Sequence, residues 1–210
     1  MGAREQGSRC QVLQYEEILW DDGHASVAGV DEVGRGCLFG DVVAGAVILP
    51  PHLVIDGIND SKKLSEKKRE ELFAIITEQC VAWSVARVDA RTIDEINIKQ
   101  AARLAMKLAV QSLAVPAEYL LVDAEQVDLD VPQQGIVKGD ANSQSIAAAS
   151  IVAKVTRDRL CLQEWEEQFP QYGIAVHKGY ATKQHREMLL QHGPSSLHRR
   201  TFLKKLLGDV

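Results

Sequence analysis

Apolar and polar positions alternate along this chain with two different periods, which predicts a sheet combined with helices. Apolar runs of strand length, three of them ending in an acidic residue, occupy 25–31, 41–49, 82–88, 119–123 and 135–140. Helical patterning covers 65–79, 92–113, 143–169, 182–191 and 199–207, with Ser65 as an N-cap and Thr92 and Glu95 at capping-box spacing. The alternation predicts an α/β fold in which helices flank one mixed sheet and gather toward the C-terminus.

The same pattern divides the chain into a short lead-in and one domain. Residues 1–24 form a polar lead-in with an amphipathic stretch at 12–20, and no repeat or low-complexity linker interrupts residues 25–210, which are predicted to be a single domain. The first half of the helix at 143–169 is built of alanine and serine. Side chains this small predict that the helix lies close to a neighbouring element.

Composition narrows the class of protein. No apolar run approaches the roughly 20 residues that span a bilayer, and the lead-in lacks the apolar centre of a signal peptide, so we expect a cytoplasmic protein without membrane contact. The cysteines lack zinc-type spacing and are expected to be free thiols: Cys10, Cys37, Cys80 and Cys161. No segment indicates an obligate protein partner, and a monomer is the expectation.

The formal net charge of −5 bears on nucleic-acid binding. It argues against a protein that coats nucleic acid through bulk positive charge. It is compatible with a nuclease, because a cluster of acidic metal ligands lowers the formal charge and bound divalent ions offset it locally.

The acidic residues that end predicted strands are the first candidates for chemistry. Asp31, Asp123 and Asp140 each follow an apolar run, and Glu32 adds a carboxylate beside the first. If the three strands are neighbours, their ends converge, and hard oxygen ligands of this kind suit Mg²⁺ or Mn²⁺. Two such ions about 4 Å apart can support phosphodiester cleavage. Any one of these acids alone is more often a turn residue or a helix cap.

A glycine-rich turn follows the first two acids directly. Gly34 and Gly36 let the backbone approach a ligand closely, and Arg35 between them could contact a phosphate or ribose oxygen. The alternative is a flexible turn with a solvated arginine, and the spacing is not that of a phosphate-binding GxxxxGK[ST] loop.

Seven segments then combine into one distinctive set. They are GVDEVGRG at 29–36, INDSKKLS at 58–65, LVDA at 121–124, KGD at 138–140, SIAAASIVAKVTRDR at 145–159, HKGYATKQH at 177–185 and HRRTF at 198–202. In this order and spacing the chain closely resembles the bacterial ribonuclease HII family, the type 2 ribonucleases H, over nearly all of residues 28–202. The resemblance implies a ribonuclease H-like fold with a helical C-terminal part.

The same resemblance implies an activity. Members of this family hydrolyse the RNA strand of RNA–DNA hybrids and incise on the 5′ side of ribonucleotides embedded in duplex DNA, leaving 3′-hydroxyl and 5′-phosphate ends. The implied partners are therefore RNA–DNA hybrids and ribonucleotide-containing duplex DNA, and the implied cofactor is Mn²⁺ or Mg²⁺ in a two-metal-ion mechanism.

The resemblance also assigns residues by motif. The implied metal ligands and catalytic acids are Asp31, Glu32, Asp123 and Asp140. The implied substrate contacts are Gly34, Arg35 and Gly36 at the ribose 2′-hydroxyl, Tyr180 stacking at the RNA–DNA junction, and Asn59, Ser61 and Lys62 at the phosphate backbone. These positions are all intact in this chain.

Three questions stay open at this level. Asp158 in TRDR competes with Asp140 for the fourth ligand position, but Arg157 and Arg159 beside it predict an ion-paired surface residue instead. The six histidines show no HExxH pattern and are expected to be surface or structural residues. The alternatives to this family are another metal-dependent nuclease of the same fold and a non-catalytic nucleic-acid-binding module, which the presence of all four acids disfavours.

Overall fold

The computed structural model describes residues 12–208, in which five strands form one mixed sheet. The strands are β1 (Val27–Val33), β2 (Val42–Ile48), β3 (Ala82–Val88), β4 (Tyr119–Asp123) and β5 (Gln133–Ile136). Their order is β3-β2-β1-β4-β5, antiparallel from β3 to β1 and parallel from β1 through β4 to β5. The mixed sheet that the alternation predicted is confirmed.

Helices cover both faces of this sheet and make up the C-terminal part. They are α1 (Gln14–Asp21), α2 (Glu66–Gln79), α3 (Ala90–Ile96), α4 (Ile98–Gln111), α5 (Gly139–Asn142), α6 (Gln144–Leu160), α7 (Glu166–Gln168), α8 (Ile174–His177), α9 (Lys183–His192) and α10 (Arg200–Leu207). A π-helical turn, Cys161–Trp165, joins α6 to α7, and a 3₁₀ turn, Pro170–Tyr172, follows. Ser65 caps α2 by accepting a hydrogen bond from the Lys68 amide, as predicted.

Apolar clusters hold these layers together. One face of the sheet packs on α4 through small residues, among them Ala101, Ala105 and Ala109. The other face packs on α2 and α6. The third cluster lies beyond the sheet and unites the C-terminal helices with the loop after β1: Phe39, Cys161, Trp165, Tyr172, Ile174, Leu189 and Leu203. Burial of this apolar surface is the main stabilising contribution.

Helix α6 lies in backbone contact with the two central strands. A Cβ atom at Gly29 of β1 would lie 2.0 Å from the Ser145 carbonyl carbon, and one at Gly45 of β2 would lie 2.6 Å from the Ala149 carbonyl oxygen. Only glycine on the strands and small residues on the helix permit this spacing. The close approach predicted from the alanine and serine content is confirmed.

Two details of the predicted elements are wrong. The single helix over 92–113 is broken at Asn97, which has a positive φ of 68° and whose side chain caps α4 by accepting from the amides of Lys99 and Gln100. Asn tolerates this conformation and competes locally for backbone donors, which ends one helix and begins the next. The capping box fails as well, because Asp89 caps α3 by accepting from the Thr92 amide.

The strand predicted at 135–140 is also displaced. Strand β5 ends at Ile136, and Lys138, with φ of 56°, turns the chain into α5. Asp140 therefore lies in the first turn of a short helix and does not end a strand. Asp31 likewise lies inside β1, which continues to Val33.

Helix α1 packs against the body although it belongs to the predicted lead-in. Leu19 joins an apolar cluster with Val27 and Ile146. The buried Glu16 carboxylate accepts from the Ser143 hydroxyl at 2.6 Å and the Ser145 amide at 2.9 Å. Residues 1–11, with Cys10, lie outside the described residues, and the division of the chain at residue 24 stays a prediction. Across 12–208, no helix combines the length and apolar character required to cross a membrane.

The contact between α6 and β1 gives a first prediction. Gly29→Ala should lower the free energy of unfolding by about 3 kcal/mol, because the added methyl group overlaps helix backbone that cannot rotate away. Urea denaturation measures this change. Gly36→Ala is the matched control: nothing lies within 4 Å of its Cβ position, so its effect should stay within about 0.5 kcal/mol. Equal stabilities of the two variants would contradict the packing argument.

Candidate active site

Sheet topology brings the predicted acids together. Strands β1 and β4 are parallel neighbours with Val30 opposite Val122, so the next residues, Asp31 and Asp123, lie side by side. Strand β5 pairs with β4 up to Asp123, and the chain then turns into α5, which carries Asp140. Three separate segments thus direct carboxylates to one edge of the molecule.

Each of these carboxylates is held by a group of the protein. Asp31 Oδ1 accepts from the Glu32 amide at 2.7 Å, and Glu32 Oε1 accepts from Arg35 Nη1 at 3.1 Å. Asp123 Oδ1 accepts from the Gly139 amide at 2.7 Å, and Asp140 Oδ2 lies 3.7 Å from Lys62 Nζ. Glu32 Oε2 is buried without a hydrogen-bond partner.

The acids also act on one another electrostatically. Burial raises the pKa of Asp31 well above its ordinary value, and the charges of Glu32 and Asp123 raise it further. Burial also raises the pKa of Asp140, as do the charges of Asp60 and Asp123. These carboxylates therefore face each other across a poorly solvated space, where their negative charges repel.

Lys62 is a second cation beside this acidic group, in addition to Arg35. Burial lowers the pKa of its ammonium group, but the surrounding carboxylates outweigh that effect and raise it: Asp31, Asp140, Asp60 and Asp123. Within residues 12–208, no three acidic, histidine or cysteine side chains stand ready to coordinate a metal ion. The acids interact electrostatically with one another, but their side chains form hydrogen bonds or ion pairs with Arg35, Gly139 and Lys62.

A small cavity of about 170 Å³ opens beside the acids and gathers most of the predicted substrate residues. Its lining comprises Glu32, Val33, Gly34, Arg35, Gly36, Ser61, Lys62, Ser150, Lys154 and Tyr180. The Tyr180 side chain remains 41% exposed. Asn59 does not line this cavity; it is exposed, and its side chain accepts from the Asp60 amide.

Two buried arginines donate hydrogen bonds to backbone carbonyls in and around the glycine turn. Arg157 donates from its guanidinium to the carbonyl oxygens of Phe39, Asp41 and Lys178 at 2.8–3.0 Å. Arg199 donates to the carbonyls of Gly40 and Arg35 at 2.9 and 3.0 Å. These bonds fix the chain on both sides of the cavity, because Arg157 reaches both the segment after β1 and the loop before Tyr180.

Comparison with known proteins places this architecture in a family. The family model for ribonuclease HII matches residues 28–205. The chain belongs to the ribonuclease HII family. The match covers the sheet, the acids, the cavity and most of the C-terminal helices.

Individual relatives agree with this assignment. Ribonuclease HII of Alkaliphilus metalliredigens is 58% identical over 202 residues, which cover 93% of this chain and 98% of the relative. Among solved structures, ribonuclease H2 of Pyrococcus horikoshii has a TM-score of 0.71 at 28% identity, covering 86% of this chain and 96% of that one. The ribonuclease HII of Archaeoglobus fulgidus, solved in complex with PCNA, has a TM-score of 0.66 at 28% identity, covering 83% and 93%.

The assignment confirms the predicted fold and the predicted activity class. The chain has the fold of ribonucleases HII. It is a nuclease, a hydrolase that acts as an endonuclease on the RNA strand of RNA–DNA hybrids.

Several polar residues of this ribonuclease HII were missed in the sequence. Ser150 and Lys154 lie four residues apart on α6 and line the cavity, and Arg157, three residues further on, bonds the loop carbonyls behind it. Ser150 bonds the Ser61 hydroxyl at 2.9 Å and also the Asp31 carboxylate. The available signal was the presence of polar residues at helical spacing in a helix otherwise made of alanine and valine.

The prediction that Asp158 is a surface residue is wrong. Asp158 is buried, and its carboxylate pairs with Lys154 at 2.7 Å and with Arg69 at 3.6 Å. The adjacent arginines point elsewhere, since Arg157 bonds backbone carbonyls and Arg159 pairs with Glu70. The ion pairing itself is confirmed, although with other partners than expected.

Two buried aspartates in opposite surroundings give the second prediction. At neutral pH without metal, Asp31→Asn should raise the stability by about 1 kcal/mol and the thermal midpoint by roughly 2–4 °C, because it removes a charge that burial and neighbouring acids disfavour. Asp158→Asn should lower the stability by about 3 kcal/mol, because it leaves Lys154 and Arg69 without their anion.

Calorimetry in the presence of a chelator measures both changes. The sign follows from the direction of the pKa shift: a carboxyl whose pKa is raised in the folded state stabilises the fold as the pH falls through that pKa and destabilises it when ionised. A lower midpoint for Asp31→Asn than for the unsubstituted protein would contradict the repulsion described for this cluster.

Proposed function

We propose that Asp31, Glu32, Asp123 and Asp140 form a divalent-metal site at which this ribonuclease HII cleaves the phosphodiester on the 5′ side of a ribonucleotide. The products would carry 3′-hydroxyl and 5′-phosphate ends. The observation that carries the proposal is the convergence of these mutually repelling carboxylates beside a cavity lined by the glycine turn.

The residues present fit a hard cation. Ionised carboxylates that are buried together are costly unless a cation compensates them. Within residues 12–208 the buried Glu32 Oε2 has no hydrogen-bond partner, so it is available to bind such a cation. The four proposed ligands are all carboxylates, and oxygen donors favour Mg²⁺ or Mn²⁺ over zinc or copper.

The charge of each group indicates its proposed role in cleavage. Two bound ions would supply an activated water and stabilise the leaving oxygen. The chain's own acids hold and orient those ions, and Lys62 and Lys154 bring positive charge to the cavity, where a phosphate group would lie. Ser61, Lys62 and the exposed Asn59 are proposed contacts of the phosphate backbone.

Selection of RNA over DNA requires contact with the ribose 2′-hydroxyl. The carbonyl of Arg35 accepts from the buried Arg199. The C=O and N–H groups of a trans peptide point in opposite directions. The Gly36 amide belongs to the same peptide as the Arg35 carbonyl, so it points away from Arg199, and it lies on the turn that lines the cavity. This amide is the proposed donor to the 2′-hydroxyl, with Gly34 and Arg35 completing the turn, and the exposed ring of Tyr180 is the proposed stacking surface at the RNA–DNA junction.

Cellular location and assembly are part of the same proposal. We propose a cytoplasmic monomer that acts on RNA–DNA hybrids and on ribonucleotide-containing duplex DNA without an obligate protein partner. Size-exclusion chromatography with light scattering tests the monomer, and a mass above that of one chain would exclude it.

The choice between Asp140 and Asp158 gives the third prediction. Asp140→Asn should reduce the single-turnover cleavage rate at least about 100-fold, because it removes an anion proposed to hold metal. Asp158→Asn should retain most of the rate at temperatures well below its unfolding transition, because that carboxylate is already paired with Lys154 and Arg69. The reverse ranking would overturn the assignment of the fourth ligand.

Substrate choice gives the fourth prediction. The protein should cleave a DNA duplex with one embedded ribonucleotide on its 5′ side and leave an all-DNA four-way junction intact, because an all-DNA substrate offers no 2′-hydroxyl to the turn. Mapping of the cut position on labelled strands measures this. Cleavage of the junction would favour another nuclease of the same fold, and absence of all cleavage with either Mg²⁺ or Mn²⁺ would favour a non-catalytic binding module.

A further inference from the structure

Three histidines form a buried cluster behind Tyr180. They come from separate elements: His177 ends α8, His185 lies in α9, and His198 precedes α10. The rings of His177 and His185 are stacked at 4.2 Å with an angle of 15° between their planes. Nε2 of His185 lies 3.1 Å from Nε2 of His198. The function described above makes no use of this cluster.

The hydrogen bonds fix the position of every imidazole proton in the pair. The Ser195 amide donates to His198 Nδ1 at 3.0 Å, so the proton of a neutral His198 is on Nε2 and is donated to His185. His185 then accepts at Nε2 and carries its proton on Nδ1, which lies 2.9 Å from the Tyr180 carbonyl oxygen. The donors and acceptors therefore form one chain of hydrogen bonds, from the Ser195 amide through His198 and His185 to the Tyr180 carbonyl.

His177 adds a second contact to the same segment. The Gly179 amide donates to His177 Nδ1 at 3.2 Å, so the His177 proton is on Nε2 and is donated to the Tyr172 carbonyl at 2.8 Å. The stacked rings therefore hold the amide of Gly179 and the carbonyl of Tyr180. The Gly179 carbonyl is held as well, by the Leu38 amide at 2.8 Å.

These bonds require neutral rings, and the surroundings keep them neutral. Burial, with a smaller contribution from His177, lowers the pKa of His185 to about 4. Burial, with smaller contributions from His185, Arg200 and His177, lowers the pKa of His198 to about 3. Burial also lowers the pKa of His177, although the Tyr172 carbonyl and Glu166 oppose the shift. An added proton on His185 would place two N–H donors against each other between His185 and His198, and an added proton on His198 would oppose its Nδ1–H to the Ser195 amide.

The side chain of Tyr180 depends on this support. Its ring is 41% exposed at the cavity, so packing alone constrains it only in part. Gly179 next to it has φ of 84°, and a Cβ there would lie 2.8 Å from the Phe39 carbonyl oxygen, so the backbone follows a path that only glycine takes easily. The two peptides that flank the Tyr180 Cα set the orientation of its Cα–Cβ bond. His185 holds one of them through the Tyr180 carbonyl, which also accepts from the Thr182 amide at 2.8 Å.

We propose that His185 and His198, with His177 stacked beside them, are positioning residues that set the orientation of Tyr180 at the substrate cavity. They touch no substrate and act only through Tyr180. The proposal rests on the proposed function, in which Tyr180 stacks at the RNA–DNA junction and so helps to select the ribonucleotide. Misplacement of the ring by about 1 Å would be expected to reduce catalytic efficiency on that substrate by tenfold or more.

A double-mutant cycle on a duplex with one embedded ribonucleotide tests the proposal. His185→Leu should lower kcat/KM about tenfold when Tyr180 is present, and the same substitution should have no further effect in a Tyr180→Ala background. His185→Asn keeps a donor near the Nδ1 position and should restore part of the loss. His192→Leu, on the same helix but exposed, is the control and should leave kcat/KM unchanged.

Each outcome has one meaning. An equal loss for His185→Leu in both backgrounds identifies a general structural role and overturns the proposal, as does no loss in either. If Tyr180→Ala itself leaves kcat/KM for this substrate unchanged, the proposed function of Tyr180 is wrong and the inference falls with it. Thermal melts of each variant ensure that the assays are run on folded protein.

Proton positions provide a second test that needs no variant. Long-range ¹H–¹⁵N spectra of the unsubstituted protein at neutral pH should show the Nδ1–H form for His185 and the Nε2–H form for His177 and His198. A neutral His185 with its proton on Nε2 would lack the bond to Tyr180 and overturn the proposal. A positively charged ring in the pair would also overturn it, because two donors would then face each other at His185–His198 or at Ser195–His198.

Discussion

Helix α6 and strands β1 and β2 are in backbone contact, and the layout of the active site depends on that spacing. The strands carry glycine at the two closest points, and the helix offers alanine and serine. Because the helix lies this near, its polar residues Ser150 and Lys154 reach the cavity beside Glu32, and Arg157 reaches the loop carbonyls. A larger side chain at Gly29 or Gly45 would push this face of the helix away from the acids it accompanies.

Two groups of buried charged residues lie on opposite sides of the glycine turn. The acids lie on the cavity side of the glycine turn, where Arg35 pairs with Glu32 and Lys62 with Asp140. Arg157 and Arg199 lie on the other side, where backbone carbonyls satisfy most of their donors and the buried Asp41 contributes a negative charge. Buried charges are costly unless they are hydrogen-bonded or paired. Among the described residues, most atoms of both groups meet that condition, but Glu32 Oε2 and Arg199 Nη2 do not, and the acids also repel one another.

Much of this arrangement could be predicted from local pattern, and the remainder depends on long-range contacts. Acids that end apolar runs predicted that Asp31 and Asp123 meet, because parallel strands bring corresponding ends together. The helical setting of Asp140 depends on a positive φ at Lys138, which no local pattern indicates, and the break at Asn97 was hidden by continuous helical periodicity. The burial of Arg157, Arg199 and Asp158 arises from partners far along the chain. A charged residue in a polar sequence gives no sign of such partners, so each was read as a surface residue or passed over.

The buried polar groups of the C-terminal helices also explain why this part of the chain belongs to the site although it contributes no acid. Arg199 precedes α10 and bonds the Arg35 carbonyl, while His185 of α9 bonds the Tyr180 carbonyl. Both bonds end on backbone oxygens of segments that line the cavity. A hydrogen bond to a carbonyl oxygen fixes the orientation of the planar peptide to which that carbonyl belongs. Through these two bonds the C-terminal helices influence which way the Gly36 amide and the Tyr180 ring face. In the proposed function the acids bind the metal, and selection of the ribonucleotide depends on the geometry that these buried donors impose.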